Sequence, residues 1–249
     1  MDVTPDEVLA GIEGWAGGTL SRLDGGSSNH TWRVDKHGRS AVLKIDDRPR
    51  REPFNTRRRE ADIQTRAFEA GLASRVLFVG ETVYLTEFID GTVWSLDSLH
   101  EEDNLRQLGI ALRQLHSLPL TGRVFDAAGA ARDYARRVTD ADERKVRECL
   151  RTIEAAPRPR NLCCCHNDLV AENIITVPGV RFLDWEYACD NDPFFDLATV
   201  AAHHDLTEAQ QRTLLVAYLG GEGSHWHDHL VQQAELYEAL LYLWSHSRS

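Results

Sequence analysis

The amino-acid sequence predicts an α+β fold with two lobes, a β-rich N-lobe over residues 1–90 and a mainly helical C-lobe over residues 91–249. Two observations lead to this prediction. Short apolar segments separated by turn residues dominate the N-terminal part, whereas helical spacing of apolar residues dominates the rest. A few short apolar segments in the middle of the C-lobe add a small β island, which completes the α+β pattern.

Five strands and one helix are predicted in the N-lobe. Turn residues separate the apolar segments, and Gly71 provides a natural end for the helix. The strands are expected over residues 18–23, 31–34, 41–45, 76–79 and 83–88, and the helix over residues 56–70.

Helices dominate the C-lobe. Residues 104–118 place leucines on one face before Pro119, residues 127–155 are charged and mostly helical, and three more helices are expected over residues 193–246. The β island is expected over residues 162–165, 174–176 and 180–183. Its first segment contains three adjacent cysteines, at positions 163–165, which we interpret as reduced and mostly buried thiols in a strand.

The bulk composition excludes several classes of function. The 249 residues carry a formal net charge of −11, whereas nucleic-acid binders usually have a basic patch and anionic membranes attract basic segments. The N-terminus lacks the basic and apolar runs of a signal peptide, and no apolar stretch approaches the roughly 20 residues of a membrane span. We therefore expect a cytoplasmic protein with neither nucleic-acid nor membrane partners; the sequence does not indicate its oligomeric state.

The most informative stretch is the segment HNDLVAEN at residues 166–173, which lies in a loop between two predicted strands. Phosphoryl transfer needs a carboxylate for the acceptor hydroxyl, and an amide and a second carboxylate for a hard cation beside the phosphates. Asp168, Asn173 and, after a predicted hairpin, Asp184 have the order and spacing of this equipment. Asp and Asn are also common in ordinary loops, but the spacing, the strand context and the second carboxylate agree. We therefore predict Asp168 as the catalytic base and Asn173 and Asp184 as Mg²⁺ ligands.

The N-lobe carries candidate nucleotide-binding residues. Lys44 lies in an apolar strand, where the phosphoryl-transfer template has a lysine that contacts the α- and β-phosphates. Such a lysine needs a partner, for which Glu60 on the following helix is the first candidate and Glu69 the second. An upstream glycine-rich turn could bring backbone N–H groups to phosphates, although by itself it is more typical of a plain hairpin. Its residues are Gly25, Gly26, Ser27, Ser28 and Asn29.

Together these segments resemble the aminoglycoside phosphotransferase and choline kinase superfamily, especially its bacterial choline, ethanolamine and thiamine kinase branch. The resemblance covers residues 18–244 and implies a protein-kinase-like fold. Asn167 stands where the family often has Gly, which loosens any assignment to a subfamily. The markers are the glycine-rich turn, the strand around Lys44, LRQLHSLP at 112–119, HNDLVAEN at 166–173, DWEYA at 184–188, NDP at 191–193 and DLA at 196–198.

The resemblance implies ATP and Mg²⁺ as cofactors and assigns further roles. His166 resembles the histidine that supports the catalytic loop, and Glu186 matches a glutamate implicated at the choline kinase site. Residues 86–89 resemble the hinge that binds adenine through its backbone, which makes Glu87 and Ile89 candidates. Lys44 resembles the phosphate-contacting lysine of the family, paired with Glu60.

The acceptor is expected to be a small cationic alcohol. Aromatic rings beside carboxylates suit a quaternary ammonium group through cation–π attraction, although most C-lobe aromatics could equally be core residues. The resemblance of the C-terminal aromatic region to that of choline kinases favours a choline-, ethanolamine- or thiamine-like acceptor. The candidate contacts are Trp185, Tyr187, Asp192, Tyr242 and Trp244.

Other functions fit the sequence less well. O-phosphorylation of an aminoglycoside or another antibiotic is the alternative enzyme activity, whereas a non-catalytic nucleotide-binding scaffold would not need the base. A protein kinase is disfavoured because Asn167 and Val170 replace the Arg and Lys that flank its catalytic Asp, and because the linker after Asp184 is too short for an activation segment. Histidines at 225, 227 and 229 could bind a transition metal, but a spacing of two does not place them on one helical face.

Overall fold

The structure is a computed structural model that describes residues 4–23, 30–51, 53–159, 161–221 and 226–248. The chain divides into two units, Met1–Gly91 and Thr92–Ser249. None of the helices in the described ranges combines the length and the apolar character needed to span a membrane.

The N-terminal unit contains an antiparallel sheet of five strands, in the order β1-β2-β3-β5-β4. The side chains of β3 alternate, so that Ala41 and Leu43 are fully buried while Lys44 belongs to the opposite face. The strands are β1 (Thr19–Arg22), β2 (His30–Lys36), β3 (Arg39–Ile45), β4 (Val76–Val79) and β5 (Val83–Glu87).

Two helices complete the N-terminal unit. The helix α2 (Arg57–Glu69) is capped by the Thr56 hydroxyl, which accepts a hydrogen bond from the backbone N–H of Arg59. The short α1 (Pro5–Ala10) was not predicted, although Thr4 and Glu7 form a capping box at its start. Leu9 at the end of α1 packs with the buried face of the sheet, which gives this unit a core of its own.

Helices build most of the C-terminal unit. The helix α4 packs against α8, while α5, α6 and α7 pack against α9 around a core that contains Phe195, Leu240 and Leu243. Residues 127–155, predicted to be mostly helical, form two helices. The helices are α3 (Leu96–His100), α4 (Glu102–Leu115), α5 (Ala127–Arg137), α6 (Glu143–Ala155), α7 (Pro193–His203), α8 (Glu208–Leu219) and α9 (His227–His246).

The predicted β island consists of two separate small sheets. One pairs β7 (Cys163–Cys165) with β10 (Cys189–Asn191), and the other has the order β6-β8-β9, with β6 (Thr92–Val93), β8 (Ile174–Thr176) and β9 (Val180–Phe182). The prediction that the cysteine strand joins the hairpin is therefore wrong. The two- and three-residue strands β6 and β10 are too short to show periodicity, and both pair with segments far away in sequence. The α+β fold class itself, with a β-rich N-terminal part and a helical C-terminal part, is confirmed.

Candidate active site

One buried carboxylate holds the start of the candidate catalytic loop. Asp196, in α7, accepts hydrogen bonds from the backbone N–H of His166 at 2.8 Å and of Asn167 at 2.7 Å. It also contacts Nε2 of His116 at 3.0 Å. Because Asp196 is fully buried, these charge-assisted bonds form away from water and fix the direction in which the loop leaves β7.

The loop brings Asp168 and Asn173 into direct contact. The Asn173 amide nitrogen donates to the backbone oxygen of Asp168 at 2.9 Å and to its carboxylate oxygen Oδ2 at 3.0 Å. Both partners are acceptors at neutral pH, so the nitrogen must face Asp168 and the Asn173 amide oxygen is directed elsewhere. This orientation makes that oxygen a candidate metal ligand.

The β8–β9 hairpin brings Asp184 to the same end of the loop. The backbone N–H of Leu183 donates to the Asn173 carbonyl at 2.8 Å, and Nε2–H of His166 donates to the Leu183 carbonyl at 2.9 Å. Asp184 is the next residue and has a left-handed backbone conformation, with φ 60° and ψ 76°. That conformation is uncommon for a residue other than glycine and is frequent at functional sites. The three residues predicted to carry the chemistry thus lie on adjoining backbone segments.

Asn167 explains one departure from the family pattern. Its φ of 65° lies in the left-handed region, which glycine adopts freely and asparagine better than most other residues. The Asn167 side chain donates to the backbone oxygen of Tyr187 at 3.2 Å and accepts from the Asn191 amide at 2.8 Å. Asparagine therefore supplies the required turn and also ties the loop to β10.

His166 and Trp185 form an aromatic support beneath the loop. Their ring centroids are 5.0 Å apart, and both residues are fully buried. Burial lowers the pKa of His166, so the imidazole is neutral at pH 7 and acts as a brace. The Trp185 indole donates to the Phe182 carbonyl at 3.2 Å, which places Trp185, an acceptor candidate from the sequence, in the core.

Three tyrosines from separate segments lie near Asp168. They are Tyr134 in α5, Tyr187 in the turn after Asp184, and Tyr237 in α9. Burial raises the pKa of each tyrosine, and the negative charge of Asp168 contributes to the rise in all three. The Trp244 side chain donates a hydrogen bond to Tyr187. The charge of the base candidate thus influences tyrosines from three separate elements.

The Trp244 ring already holds a cation. The guanidinium carbon of Arg248 lies 4.8 Å from the ring centroid of Trp244, within the range of a cation–π contact. Tyr242 lies on another face of α9, where its ring centroid is 4.2 Å from that of His246 and the two ring planes are tilted by 33°. Trp244, and not Tyr242, therefore belongs to the aromatic set near Asp168.

Asp192 and Glu186, two other candidates, are both buried. Asp192 caps α7 by accepting from the Phe194 N–H at 2.9 Å, and it contacts Nε2 of His229 at 3.0 Å. These structural bonds leave it less suited to a substrate. Glu186 is 5% exposed and lies in the turn that carries Tyr187.

In the N-terminal unit, Glu60 is a fully buried carboxylate within a cluster of charges. One of its oxygens lies 2.8 Å from Arg57 and 3.7 Å from Arg50. Arg57 also makes two bonds to Asp46, at 2.7 and 2.8 Å. The second oxygen of Glu60 is buried and has no hydrogen-bond partner among the described residues. The pairing of Glu60 with Lys44 stays a prediction, and Arg57 is a partner that the sequence prediction missed.

The candidate adenine-binding segment continues from β5. The N–H groups of Glu87 and Phe88 donate to the carbonyls of Arg75 at 2.8 Å and Ser40 at 3.0 Å. The N–H of Ile89 makes no hydrogen bond to any described residue. The remaining nucleotide-binding candidates, Gly25, Gly26, Ser27, Ser28 and Asn29, lie outside the described residues, as does His225 of the histidine-rich segment.

Sequence reasoning missed Tyr134 and gave too little weight to Asp196. Tyr134 lies in a charged helix with no local sign of function, and only the packing of α5 on α9 reveals its position. From sequence, Asp196 was noted as part of the family marker DLA at 196–198. The available signal in the sequence was that Asp196 lies one turn into the helix that follows the β island, where a carboxylate can reach the loop.

The fold and this arrangement define a protein-kinase-like phosphotransferase. The profile of the APH phosphotransferase enzyme family matches residues 19–230. The chain therefore belongs to this family.

Relatives and solved structures agree with that assignment. Protein LicA from Haemophilus influenzae is 30% identical over 207 residues, which cover 78% of this chain and 61% of that protein. Thiamine kinase from Salmonella paratyphi B is 34% identical over 156 residues, which cover 60% of this chain and 53% of that kinase. The chain thus matches only part of the length of these relatives.

Among solved structures, a choline/ethanolamine kinase family protein from Mesorhizobium loti is similar with a TM-score of 0.73 and 27% identity. That match covers 95% of this chain and 82% of the other. Choline kinase LicA from Streptococcus pneumoniae has a TM-score of 0.76 at 20% identity, covering 92% of this chain and 85% of the other, and supports the fold alone.

Proposed function

We propose that this chain transfers the γ-phosphate of ATP to the hydroxyl of a small cationic molecule of the choline, ethanolamine or thiamine type. The proposal rests on hydrogen bonds of 2.8–3.0 Å that converge on Asn173. Its side chain donates to Asp168, and its backbone carbonyl accepts from Leu183, the residue before Asp184. A base candidate beside two candidate oxygen ligands is the arrangement that phosphoryl transfer requires.

The donor set fits Mg²⁺. The amide oxygen of Asn173 and the carboxylate of Asp184 are hard ligands of the kind this ion takes. Bound there, Mg²⁺ would offset the negative charge of the phosphates. Asp168 would accept or orient the acceptor's hydroxyl proton, and its contact with Asn173 would keep the carboxylate in position.

The N-terminal unit supplies candidates for holding the nucleotide. Lys44 would contact the phosphates, and the second oxygen of Glu60, buried without a hydrogen bond among the described residues, is suited to pair with a lysine. The N–H of Ile89 and the carbonyl of Glu87 would recognise adenine. The glycine-rich turn at residues 25–29 would cover the phosphates.

A cationic acceptor is supported by the aromatic side chains near Asp168. The negative charge of Asp168 acts on Tyr134, Tyr187 and Tyr237, and an acceptor cation would take the place of the Arg248 guanidinium on the Trp244 ring. An alkylated ammonium group gains about 1–2 kcal/mol from each desolvated ring contact without needing a hydrogen-bond acceptor. We leave Trp185, Asp192 and Tyr242 out of this pocket because their described contacts are structural.

The first experiment tests the base. Asp168→Ala should bind ATP nearly as well as wild type but turn over at least ~10²-fold more slowly, the usual contribution of a positioned acid–base group. Asp103→Ala, an exposed carboxylate on α4, is the control. Near-normal turnover of Asp168→Ala would refute the role of Asp168.

The second experiment tests the metal ligands. Asp184→Asn should weaken nucleotide binding in the presence of Mg²⁺ much more than in its absence, because an amide lacks the charge that a hard cation prefers. Titrations of both proteins with ATP, with and without Mg²⁺, measure this difference. Equal weakening under both conditions would remove Asp184 from the metal site.

The third experiment tests the acceptor. Wild type should prefer choline to its neutral carbon analogue 3,3-dimethylbutanol, and Trp244→Leu should raise the KM for choline about 5- to 30-fold with less effect on the KM for ATP. Tyr242→Leu, on another face of the same helix, is the matched control. Ethanolamine, thiamine and an aminoglycoside panel complete the screen. Equal use of choline and the neutral analogue would refute a cation-selective pocket, and activity only on an antibiotic would establish the alternative activity.

A further inference from the structure

A cluster of soft metal-binding groups lies close to the catalytic loop but is not used in the proposed reaction. Cys163 and Cys165 occupy alternate positions of β7, so their side chains share one face of the strand. Their sulfurs are 3.4 Å apart. His116 follows the end of α4, and a ligand atom of each of these three residues lies within 4.8 Å of the other two.

The spacing suits a single ion. Two sulfurs bound at about 2.3 Å to one tetrahedral ion lie about 3.8 Å apart, so the observed sulfur separation needs only a small adjustment. Two thiolates and an imidazole are typical ligands of zinc and other thiophilic ions, whereas Mg²⁺ prefers oxygen. The cluster is therefore chemically distinct from the proposed Mg²⁺ ligands.

The surroundings of His116 resemble the support that metal-binding histidines usually have. Its Nε2 lies 3.0 Å from the Asp196 carboxylate, so the neutral tautomer that donates Nε2–H to Asp196 is the one that presents Nδ1 to an ion. Metal-ligating histidines commonly donate their other N–H to a carboxylate in this way. Nδ1 now lies 2.9 Å from the Tyr218 hydroxyl, which an ion would displace.

Access to the cluster is available at one end. Cys163 is partly exposed, whereas Cys165 is fully buried. An ion can therefore reach the site from the Cys163 side. Binding would replace the thiol protons by sulfur–metal bonds and release these protons to solvent.

We propose that Cys163, Cys165 and His116 bind one thiophilic divalent ion such as Zn²⁺, with a water available as the fourth ligand. This site does not depend on the proposed phosphotransferase reaction. A failed metal-binding test would leave that reaction untouched.

The test uses Co²⁺ as a spectroscopic substitute for Zn²⁺ on the reduced, full-length protein. Wild type should bind Co²⁺ with a thiolate-to-cobalt charge-transfer band, and one equivalent of Zn²⁺ should abolish the band, whereas excess Mg²⁺ should not. Cys163→Ala should weaken the band, because one of the two thiolates is removed, and should weaken Zn²⁺ binding, measured by chelator competition, by at least about 10-fold. Circular dichroism confirms folding, which this partly exposed position should tolerate.

Cys164→Ala is the matched control, since Cys164 is in the same strand and belongs to its opposite face. It should retain the band. Equal behaviour of Cys163→Ala and Cys164→Ala would overturn the proposal. So would Co²⁺ binding by wild type without a charge-transfer band, because that would place the ion on histidines or carboxylates elsewhere.

Discussion

Replacement of Asp196 by Asn is the sharpest test of how the catalytic loop is positioned. The change keeps the shape of the side chain but removes its charge and replaces one acceptor oxygen by a donor. In wild type, one carboxylate oxygen accepts from the backbone N–H of Asn167 at 2.7 Å. The other accepts from the backbone N–H of His166 at 2.8 Å and contacts Nε2 of His116 at 3.0 Å. Either orientation of the new amide therefore sets an NH₂ group against a buried N–H.

The expected loss of stability follows from these contacts. Hydrogen bonds to a charged group contribute about 1.5–3 kcal/mol each, and a buried unsatisfied donor costs about 1–3 kcal/mol. With its oxygen towards His166 and His116, the amide loses one strong bond and leaves one donor unpaired. Asp196→Asn should therefore lower the free energy of unfolding by about 3–5 kcal/mol. Misplacement of the loop by even about 1 Å could also reduce kcat roughly 10²-fold.

Urea unfolding measures the first effect, and steady-state kinetics under conditions where the variant is folded measures the second. The control is Glu143→Gln, an exposed residue whose ion pair with Arg147 should contribute less than about 1 kcal/mol. A loss below about 1 kcal/mol in Asp196→Asn, with unchanged kcat, would refute the view that this carboxylate organises the loop.

Two further predictions concern the helices of the C-terminal unit. Gly109→Ala should destabilise the fold by about 2 kcal/mol in urea, because its Cβ would lie 2.8 Å from the Leu214 carbonyl where α4 crosses α8. His204 accepts from the Ala171 N–H at 3.1 Å, and burial lowers its pKa. As the pH falls below about 6.5, the unfolded chain takes up a proton first, so stability should fall by up to about 1.4 kcal/mol per pH unit, and His204→Gln should reduce this slope.

Controls separate these effects from general damage to the fold. Gly221→Ala introduces a methyl group into open space and should change stability by less than about 0.5 kcal/mol. If Gly109→Ala is stabilising, helix propensity outweighs the close contact and the crossing can adjust. For His204→Gln, the unfolding free energy is measured at pH values on both sides of about 6.5. An unchanged slope would show that His204 does not titrate differently in the folded and unfolded chains.

The residues proposed for the chemistry could be identified from sequence because they are close together along the chain. Asp168 and Asn173 occupy one short loop, and the β8–β9 hairpin connects that loop to Asp184. Local turn and strand signals, together with the phosphoryl-transfer template, predicted one site for all three residues, and the structure joins the backbone segments that carry them. The family pattern added Lys44 and Glu60, whose pairing stays a prediction.

Supporting contacts between distant segments could not be identified in this way. Asp196 is 28 positions beyond Asp168, and Tyr134 and Trp244, which belong to different helices, are 110 positions apart. Whether such side chains face a site depends on helix packing and rotation, which apolar periodicity specifies only as a buried face. For the same reason, the sequence indicates Cys163 and Cys165 only as buried thiols in a strand and does not show that His116 lies beside them.

The sequence by itself determined most of the longer elements, their order and the residues of the candidate loop, because local periodicity and turn chemistry act over a few residues. Only the tertiary structure decided that β7 pairs with β10 rather than with the hairpin, and that His116 lies beside Cys163 and Cys165. Those contacts arise from strand pairing and helix packing, whose partners are selected by the burial of whole surfaces and not by neighbouring residues.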